Sequence, residues 1–270
     1  MTKRRRKTKN SLFQLGSQRT GRVLYINLPC GRCGTCIGAT DYCDGRTLDS
    51  QGRPRFTCNG KRGRSAGADA VAYAERVLAA TKQSDFATRA IDELYRRNAE
   101  HVRIHNRGDF YSVTYVRAWI KIAAACPHIL FWTYTRSWRI AKMMPSLSQF
   151  AELSNVSLFW STDKDTHAEH GAPPQLPCVR VAHLRSFANE QIPDYVDLVW
   201  RDKRGKVQPA PGLHACPQGI RGSNKPGDKI MTRVTCDTCL WCVKRTPSRR
   251  DRRKNRSRAL RRRKHLSMSD

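Results

Sequence analysis

Cysteines are the residues of this chain with the clearest chemical potential: eleven occur among 270 residues, and nine of them fall into two clusters. The first cluster opens with C-x2-C-x2-C spacing and contains Cys30, Cys33, Cys36, Cys43 and Cys58. Close thiolates on a Gly-rich turn can converge on one centre, and this spacing opens many iron–sulfur sites. Four thiolates at one site would also suit zinc. The sequence therefore predicts a metal site here, with the metal left open.

The second cluster repeats the same spacing near the end of the chain. Its triplet is Cys236, Cys239 and Cys242, and Cys216, followed by proline, supplies a plausible fourth ligand. A close triplet of cysteines with one remote Cys-Pro is the usual arrangement of a [4Fe–4S] site. Here the order is reversed, because the Cys-Pro precedes the triplet. A four-thiolate zinc site fits nearly as well. The two remaining cysteines, Cys126 and Cys178, are interpreted as small buried apolar residues.

Polar residues follow two predicted strands, which cover residues 102–104 and 129–134. Ligands of parallel sheets bind beyond the carboxyl ends of the strands. We therefore predict that His105, Asp109 and Arg136 share one rim as candidate catalytic residues, with Gly108 and Asp109 at a cofactor. Asp109 would hydrogen-bond a cofactor or substrate, and Arg136 would bind an anionic group. The alternative is that Asp109 and Ser112 only cap a helix.

The hydrophobic pattern predicts an α/β protein. Helices are expected over 66–81, where Val71, Ala74 and Leu78 form the buried stripe, and then from Ser84, from Ser112 to Pro127, and over 138–154 with an interruption at Pro145. Further strands are expected over 21–28, 156–160, 178–182 and 196–200. Such alternation indicates a mainly parallel sheet, as a partial or complete TIM-like barrel, with cysteine-rich metal-binding segments at both ends of the core.

The stretch from Ser161 to His170 is interpreted as a polar loop. His167 and His170, with the neighbouring acidic residues, could bind a metal ion. A solvated loop is the favoured interpretation.

The formal net charge is +29, and it is not confined to one region. The first ten residues contain six Lys or Arg and no acid, and residues 243–270 contain thirteen against two acids. The ends thus carry +17 and the middle the remaining +12, which favours a nucleic-acid partner held through the basic tails. Tails that serve only solubility or localisation are the alternative. We divide the chain into a basic tail (1–20), one cysteine-rich domain (21–243) and a second tail (244–270).

The chain has neither a membrane-spanning apolar run nor the apolar part of a signal peptide, so we expect a soluble cytoplasmic protein without a membrane partner. In a reducing compartment its cysteines are expected to be metal ligands or free thiols rather than disulfides.

Several motifs together resemble the phage "gene product eighty-eight" family, which occurs in phages and mobile elements. The matching pieces span about residues 22–243: Cys36-Ile-Gly-Ala with Cys43, Phe56-Thr-Cys58, Val102-Arg-Ile-His, Gly108-Asp-Phe-Tyr-Ser112 with Tyr115 and Trp119, Phe131-Trp-Thr-Tyr-Thr-Arg-Ser137, and Ala215-Cys-Pro217 with the second triplet. The resemblance implies a cysteine-rich α/β fold distantly similar to radical S-adenosylmethionine barrels.

This sequence departs from both patterns at two points. Cys58 is followed by Asn-Gly instead of an aromatic residue, and the radical-enzyme signature C-x3-C-x2-C is not met at residues 30–36. Three ligands of a site-differentiated cluster could be Cys36, Cys43 and Cys58, as the family resemblance implies, or Cys30, Cys33 and Cys36.

Two functions remain open from the sequence. The first is a [4Fe–4S] enzyme, with S-adenosylmethionine as a candidate cofactor, acting on nucleic acid or a nucleotide-derived substrate. The second is a zinc-stabilised nucleic-acid-binding protein in replication or regulation, in which Trp132, Trp138 or Trp160 would stack on bases. Metal identity separates the two, because redox-active iron favours the enzyme and tightly held zinc favours the binding protein.

Overall fold

The computed structural model describes residues 11–16, 22–46, 58–61, 63–185, 190–200, 214–215, 236–239 and 241–242. Their strands form one sheet whose spatial order follows the chain. The strands are β1 Gln14–Leu15, β2 Leu24–Ile26, β3 His101–Ile104, β4 Leu130–Thr135, β5 Val156–Thr162, β6 Val179–Leu184, β7 Leu198–Trp200 and β8 His214–Ala215. β1 is antiparallel to β2, and every later pair is parallel. The predicted mainly parallel α/β fold is confirmed.

The helices lie mostly between consecutive strands. They are α1 Asp41–Asp44, α2 Ala68–Thr81, α3 Phe86–Arg96, α4 Val113–Ala125, α5 Met144–Glu152, α6 Lys164–His170 and α7 Cys236–Cys239, with short 3-10 turns at Asn59–Lys61, Gly63–Ala66, Ser137–Arg139 and Ala141–Met143. The helix from Ser112 begins as predicted, because the Ser112 hydroxyl accepts a hydrogen bond from the Tyr115 amide at 3.2 Å.

The sheet is open, so the prediction of a complete barrel is wrong. Closure requires the last strand to pair with the first parallel strand. Among the described strand pairs, none joins β8 back to β1 or β2, and both edges of β2 are already taken by β1 and β3.

Alternating side chains divide the sheet into two faces. Ile26, Val102, Ile104, Phe131 and Leu158 point to one face and are fully buried in the main core with residues of α2, α3, α4 and α5. Trp132 and Tyr134 on β4, and Phe159 on β5, point to the other face. Within the described residues, one face of the sheet thus packs against α2 to α5, and the other packs against the C-terminal segment that contains Cys236 and Cys242.

Several local predictions are corrected. Val71 of α2 is exposed, and the buried stripe is instead formed by Tyr73, Ala74 and Val77. Pro145 lies in the first turn of α5, where its missing amide costs nothing, and so does not interrupt that helix.

The predicted polar loop after Ser161 is mostly α6. Asp163 caps this helix by accepting from the Thr166 amide at 2.9 Å. The His side chains turn to separate partners: His167 to the Tyr195 hydroxyl and His170 to Arg139.

Residues 11–16, which the sequence assigned to the basic tail, belong to the fold. The buried Glu93 carboxylate of α3 accepts from the Leu12 amide at 2.8 Å and the Phe13 amide at 3.3 Å, and it also binds the Ser11 hydroxyl. The rest of the two predicted tails lies outside the described residues. No helix in the described ranges combines the length and apolar character that crossing a membrane requires.

Candidate functional site

Four loops meet beyond the carboxyl ends of β2, β3, β4 and β5. The parallel register aligns these strand ends, with Ile26 opposite Ile104 and Thr135 opposite Trp160. The first cysteine cluster follows β2, Gly108-Asp109 follows β3, Arg136 follows β4 and Asp163 follows β5. The structure thus brings Asp109 and Arg136 together at one rim.

Asp109 is the centre of this rim. Its Oδ1 accepts from the Thr135 hydroxyl at 2.6 Å and the Phe110 amide at 2.7 Å, and its Oδ2 accepts from the Arg136 amide at 2.7 Å. Burial raises the pKa of Asp109 to about 6, although these three donors act in the opposite direction. Each carboxylate oxygen can accept about two hydrogen bonds, and among the described residues the Arg136 amide is the donor found at Oδ2.

Gly108 brings the chain into this position. It adopts a φ of +82°, and a Cβ there would lie 2.6 Å from Leu28 Cβ and 2.8 Å from Thr35 Oγ1. The Asp109 amide donates to the same Thr35 hydroxyl at 3.1 Å. Gly108 therefore holds the rim against the loop that carries the first cysteine cluster; the predicted contact with a cofactor stays a prediction.

Arg136 is engaged within the protein. Its guanidinium lies 3.0 Å from the Asp163 carboxylate and donates to the Thr166 hydroxyl at 3.1 Å. Burial alone would lower the pKa of Arg136, but the charge of Asp163, together with those of Asp109 and the neighbouring cysteines, raises it above its usual range. Both members of this ion pair are buried. An anionic ligand would have to compete with Asp163, which is a geometric reason against the predicted anion-binding role.

His105 lies in the core rather than at the predicted rim. Its side chain is 3% exposed, its Nε2 is 3.0 Å from the Tyr115 hydroxyl, and its ring centroid is 4.9 Å from that of Phe110. The backbone reverses here with φ +61°, which turns the side chain towards α4. Burial lowers the pKa of His105 to about 3. A catalytic role for His105 stays a prediction, and this location gives it no support.

Four of the five members of the first cysteine cluster lie close together. Cys58 hydrogen-bonds Cys30, although 27 residues separate them in the chain, and Cys36 interacts electrostatically with Cys43 and Cys58. Gly60 allows this approach, because a Cβ there would lie 2.7 Å from the Cys30 sulfur. Cys33 is exposed, unlike the other four.

These four thiols differ in how easily they ionise. The hydrogen bond from Cys58, with Arg107 and Lys61 nearby, lowers the pKa of Cys30 to about 7, and the pKa of Cys58 rises in return. Burial raises the pKa of Cys43 to about 11 and also raises that of Cys36. Thiolates are the metal-binding form of cysteine. A metal would therefore have to displace protons from Cys36, Cys43 and Cys58.

The link between cysteines and rim is built by Thr40 and Gly38. The Thr40 hydroxyl accepts from the Cys43 amide at 3.1 Å and donates to Asp163 at 2.6 Å. Gly38 lies so close to Arg136 that a Cβ would overlap the carbonyl oxygen of Arg136. The buried Arg136–Asp163 pair of the rim thus also positions Cys43.

The second triplet lies elsewhere. Cys236 and Cys242 pack against Val23 and Trp132, on the sheet face opposite α2 to α5. Cys216 lies outside the described residues. Among the residues that the structure describes, no three His, Cys, Asp or Glu side chains already have the arrangement of a metal-ion site.

Sequence reasoning missed several residues that build these sites. Asp163 was placed in a loop, although the spacing Asp163-x2-Thr166 before a polar helix is a capping signal that could have found it. Tyr134 and Arg180, which contact the second triplet, carry no local sequence signal. The proposed base-stacking tryptophans Trp132, Trp138 and Trp160 are all buried, so stacking by them on bases is wrong for the folded protein.

Comparison with known proteins gives a consistent relationship. The family model described as "Gene product 88" matches residues 1–245. The "Gene 88 protein" of Mycobacterium phage L5 is 25% identical over 233 residues, covering 83% of this chain and 86% of the relative. The "Gene 88 protein" of Mycobacterium phage D29 is 32% identical over 142 residues, covering 52% of this chain and 50% of the relative. No solved structure matches the chain.

Proposed function

The chain belongs to the Gene product 88 family, and we propose that this phage protein binds an iron–sulfur cluster through Cys36, Cys43 and Cys58, with Cys30 beside them. The observation that carries the proposal is the gathering of these four cysteines, from residues 30–58, above the carboxyl ends of the parallel strands. Such strand ends are where parallel sheets place their ligands.

Burial raises the pKa of Cys36 and Cys43, and positively charged side chains near the four sulfurs act in the opposite direction. Arg107, Lys61 and Arg136 each interact electrostatically with one or more of them. Positive neighbours stabilise thiolates, and thiolates are the ligands of both iron–sulfur clusters and zinc. The exposure of Cys33 favours the ligand set that contains Cys36, Cys43 and Cys58 over the set of Cys30, Cys33 and Cys36.

A radical-type enzyme is the activity that this arrangement would suit best. A cluster held by Cys36, Cys43 and Cys58 would leave one iron open to S-adenosylmethionine. The sequential order of the parallel strands is compatible with a partial barrel that would hold such a cluster at its carboxyl ends. Within the protein, Asp109 would position the loops and offer Oδ2 as an acceptor to the bound group. The high positive charge supports nucleic acid, or a component of it, as the substrate.

The test is the metal content of the full-length protein, purified without oxygen, with matched serine variants. Cys43→Ser removes a sulfur from the proposed site, whereas Cys33→Ser removes an exposed sulfur from the same loop. We expect near-equal iron and acid-labile sulfide in the wild type, a loss equal to one cluster in Cys43→Ser, and no loss in Cys33→Ser. Circular dichroism verifies that both variants are folded.

Two results would overturn the proposal. Loss of the metal in Cys33→Ser but not in Cys43→Ser would contradict the ligand set. Zinc without sulfide would replace the cluster enzyme by the zinc-stabilised nucleic-acid-binding protein.

A further inference from the structure

In the part of the chain that the structure describes, the C-terminal cysteine segment packs on the face of the sheet opposite α2 to α5. Trp241 and Cys242 pack against a cluster formed by Phe159, Ala182 and Leu198, and Cys236 packs against Val23 and Trp132. We call this surface the cysteine face. It lies on the strands themselves, whereas the first four cysteines lie beyond their carboxyl ends.

Tyr134 aims a hydrogen-bond donor at one of the sulfurs. Its hydroxyl donates to Cys242 Sγ at 2.9 Å, and its ring stacks on Phe159 with 4.8 Å between the centroids. A donor to sulfur stabilises the thiolate, because it compensates for the water that burial removes. The stacked ring fixes the direction of that donor.

Arg180 holds the backbone that carries the same cysteine. It is 4% exposed, and its guanidinium carbon lies 4.2 Å from the Phe159 ring centroid and 4.7 Å from that of Trp241. From this position it donates to the Trp241 carbonyl at 3.1 Å and the Cys242 carbonyl at 2.8 Å. The Arg180 guanidinium therefore binds the backbone of the turn that ends the triplet. These hydrogen bonds fix where Cys242 lies on the sheet.

Burial raises the pKa of Cys242, and the positive charge of the cysteine face acts in the opposite direction. Arg180 and Arg103 both interact electrostatically with Cys242. Cys239 and Cys242 interact with each other, and their mutual repulsion as thiolates would be offset by these two guanidinium groups.

We propose that Cys236, Cys239 and Cys242 form a second thiophilic metal centre on the cysteine face, independent of the first, and that Tyr134 and Arg180 are its positioning residues. The centre takes zinc or an iron–sulfur cluster, since both are bound by thiolates. The inference extends the metal binding of the proposed function, but it needs none of the ligands of the first centre.

Metal stoichiometry of the full chain, purified without oxygen, tests the site. Cys239→Ser is compared with Cys178→Ser, which alters a half-buried cysteine outside both clusters. We expect Cys239→Ser to lose the metal of one centre while Cys178→Ser keeps all of it. Iron with sulfide identifies a cluster, and zinc without sulfide identifies a zinc site. Full metal retention by Cys239→Ser would overturn the inference.

The positioning role is tested by Tyr134→Phe, with Tyr95→Phe as the control. The Tyr95 hydroxyl donates to the Ala125 backbone carbonyl, which is remote from the triplet. Loss of an outer-shell hydrogen bond weakens metal binding by about 10-fold or more. We expect Tyr134→Phe to bind cobalt(II), added to the metal-free chain, about 10-fold more weakly and with a shifted sulfur-to-metal absorption band. Identical affinities and bands in both variants would overturn the assignment of Tyr134.

The two proposals fail separately. If Cys43→Ser keeps all its metal while Cys239→Ser loses it, the proposed function is wrong and the second centre stands. If the reverse holds, the second centre is wrong and the first stands.

Discussion

The Asp163 carboxylate joins three segments of the chain at the rim. It lies 3.0 Å from the Arg136 guanidinium, accepts from the Thr40 hydroxyl at 2.6 Å, and caps α6 through the Thr166 amide at 2.9 Å. Its side chain has no exposed surface. The Arg136–Asp163 pair therefore acts first as an internal support that places Cys43 near Asp109.

Replacing Asp163 with Asn tests this role. The change leaves the Arg136 charge buried without its carboxylate, and breaking a buried pair in this way costs about 3–5 kcal/mol. We expect the free energy of unfolding in urea to fall by that amount.

The control for this prediction is Asp85→Asn. Its carboxylate is 58% exposed and pairs at 3.7 Å with Arg89, which is 41% exposed. An exposed pair contributes about 0–1 kcal/mol, so a similar loss in both variants would contradict the structural role of Asp163.

At the scale of elements, the cysteine loop between β2 and α1 owes its path to close backbone approaches. Gly34 packs on the Pro29 carbonyl, where a Cβ would lie 2.7 Å from the oxygen, and Gly38 packs on Arg136. The Arg139 guanidinium adds a hydrogen bond of 2.8 Å to the Gly38 carbonyl. The loop is thus docked on the turn after β4, and that docking sets where Cys36 and Cys43 lie.

Gly38→Ala should undock this loop, because the new Cβ would overlap backbone that cannot move as a side chain can. We expect faster reaction of Cys36 and Cys43 with a thiol reagent in the metal-free folded protein. Overpacking of this kind also costs about 1–3 kcal/mol.

Gly171→Ala is the matched control, since a Cβ there meets nothing within 4 Å and only the positive φ of +66° opposes it. It should lose about 1–2 kcal/mol of stability without any change in thiol reactivity. Equal reactivity in the two variants would show that Gly38 does not hold the loop.

At the scale of the whole molecule, the basic ends and the two cysteine sets occupy different parts of the sequence. The two cysteine sets lie within the described fold, apart from Cys216, whereas the basic ends, which carry +17 of the net +29, lie outside the described residues. A polyanion could therefore be held by the ends while the rim remains available for chemistry.

Replacing the thirteen Lys and Arg of residues 244–270 with Gln keeps the length of the chain and removes this charge. We expect weaker binding to DNA or RNA and a smaller slope of log K against log salt, because each phosphate contact contributes about 0.7–0.9 to the slope. The measurement is a salt titration of binding to a fluorescent oligonucleotide. An unchanged slope would show that this segment makes no phosphate contacts.

The sequence by itself determined the mainly parallel α/β fold, the helix from Ser112 and the order of the rim loops. These depend on local periodicity, on capping, and on the rule that parallel strands end at one edge. It also singled out both cysteine clusters, because their spacing is local.

Only the tertiary structure decided the rest, since it depends on contacts between distant residues. Sheet closure was decided by β1, which occupies the free edge of β2. The His105 side chain lies in the core rather than at the rim, because it packs against Tyr115 and Phe110. Arg136 forms an ion pair with Asp163 inside the protein. Arg180 holds Trp241 and Cys242 on the sheet, which separates the second triplet from the first cysteine cluster. Each of these is a packing choice between segments far apart in the chain, which no local pattern encodes.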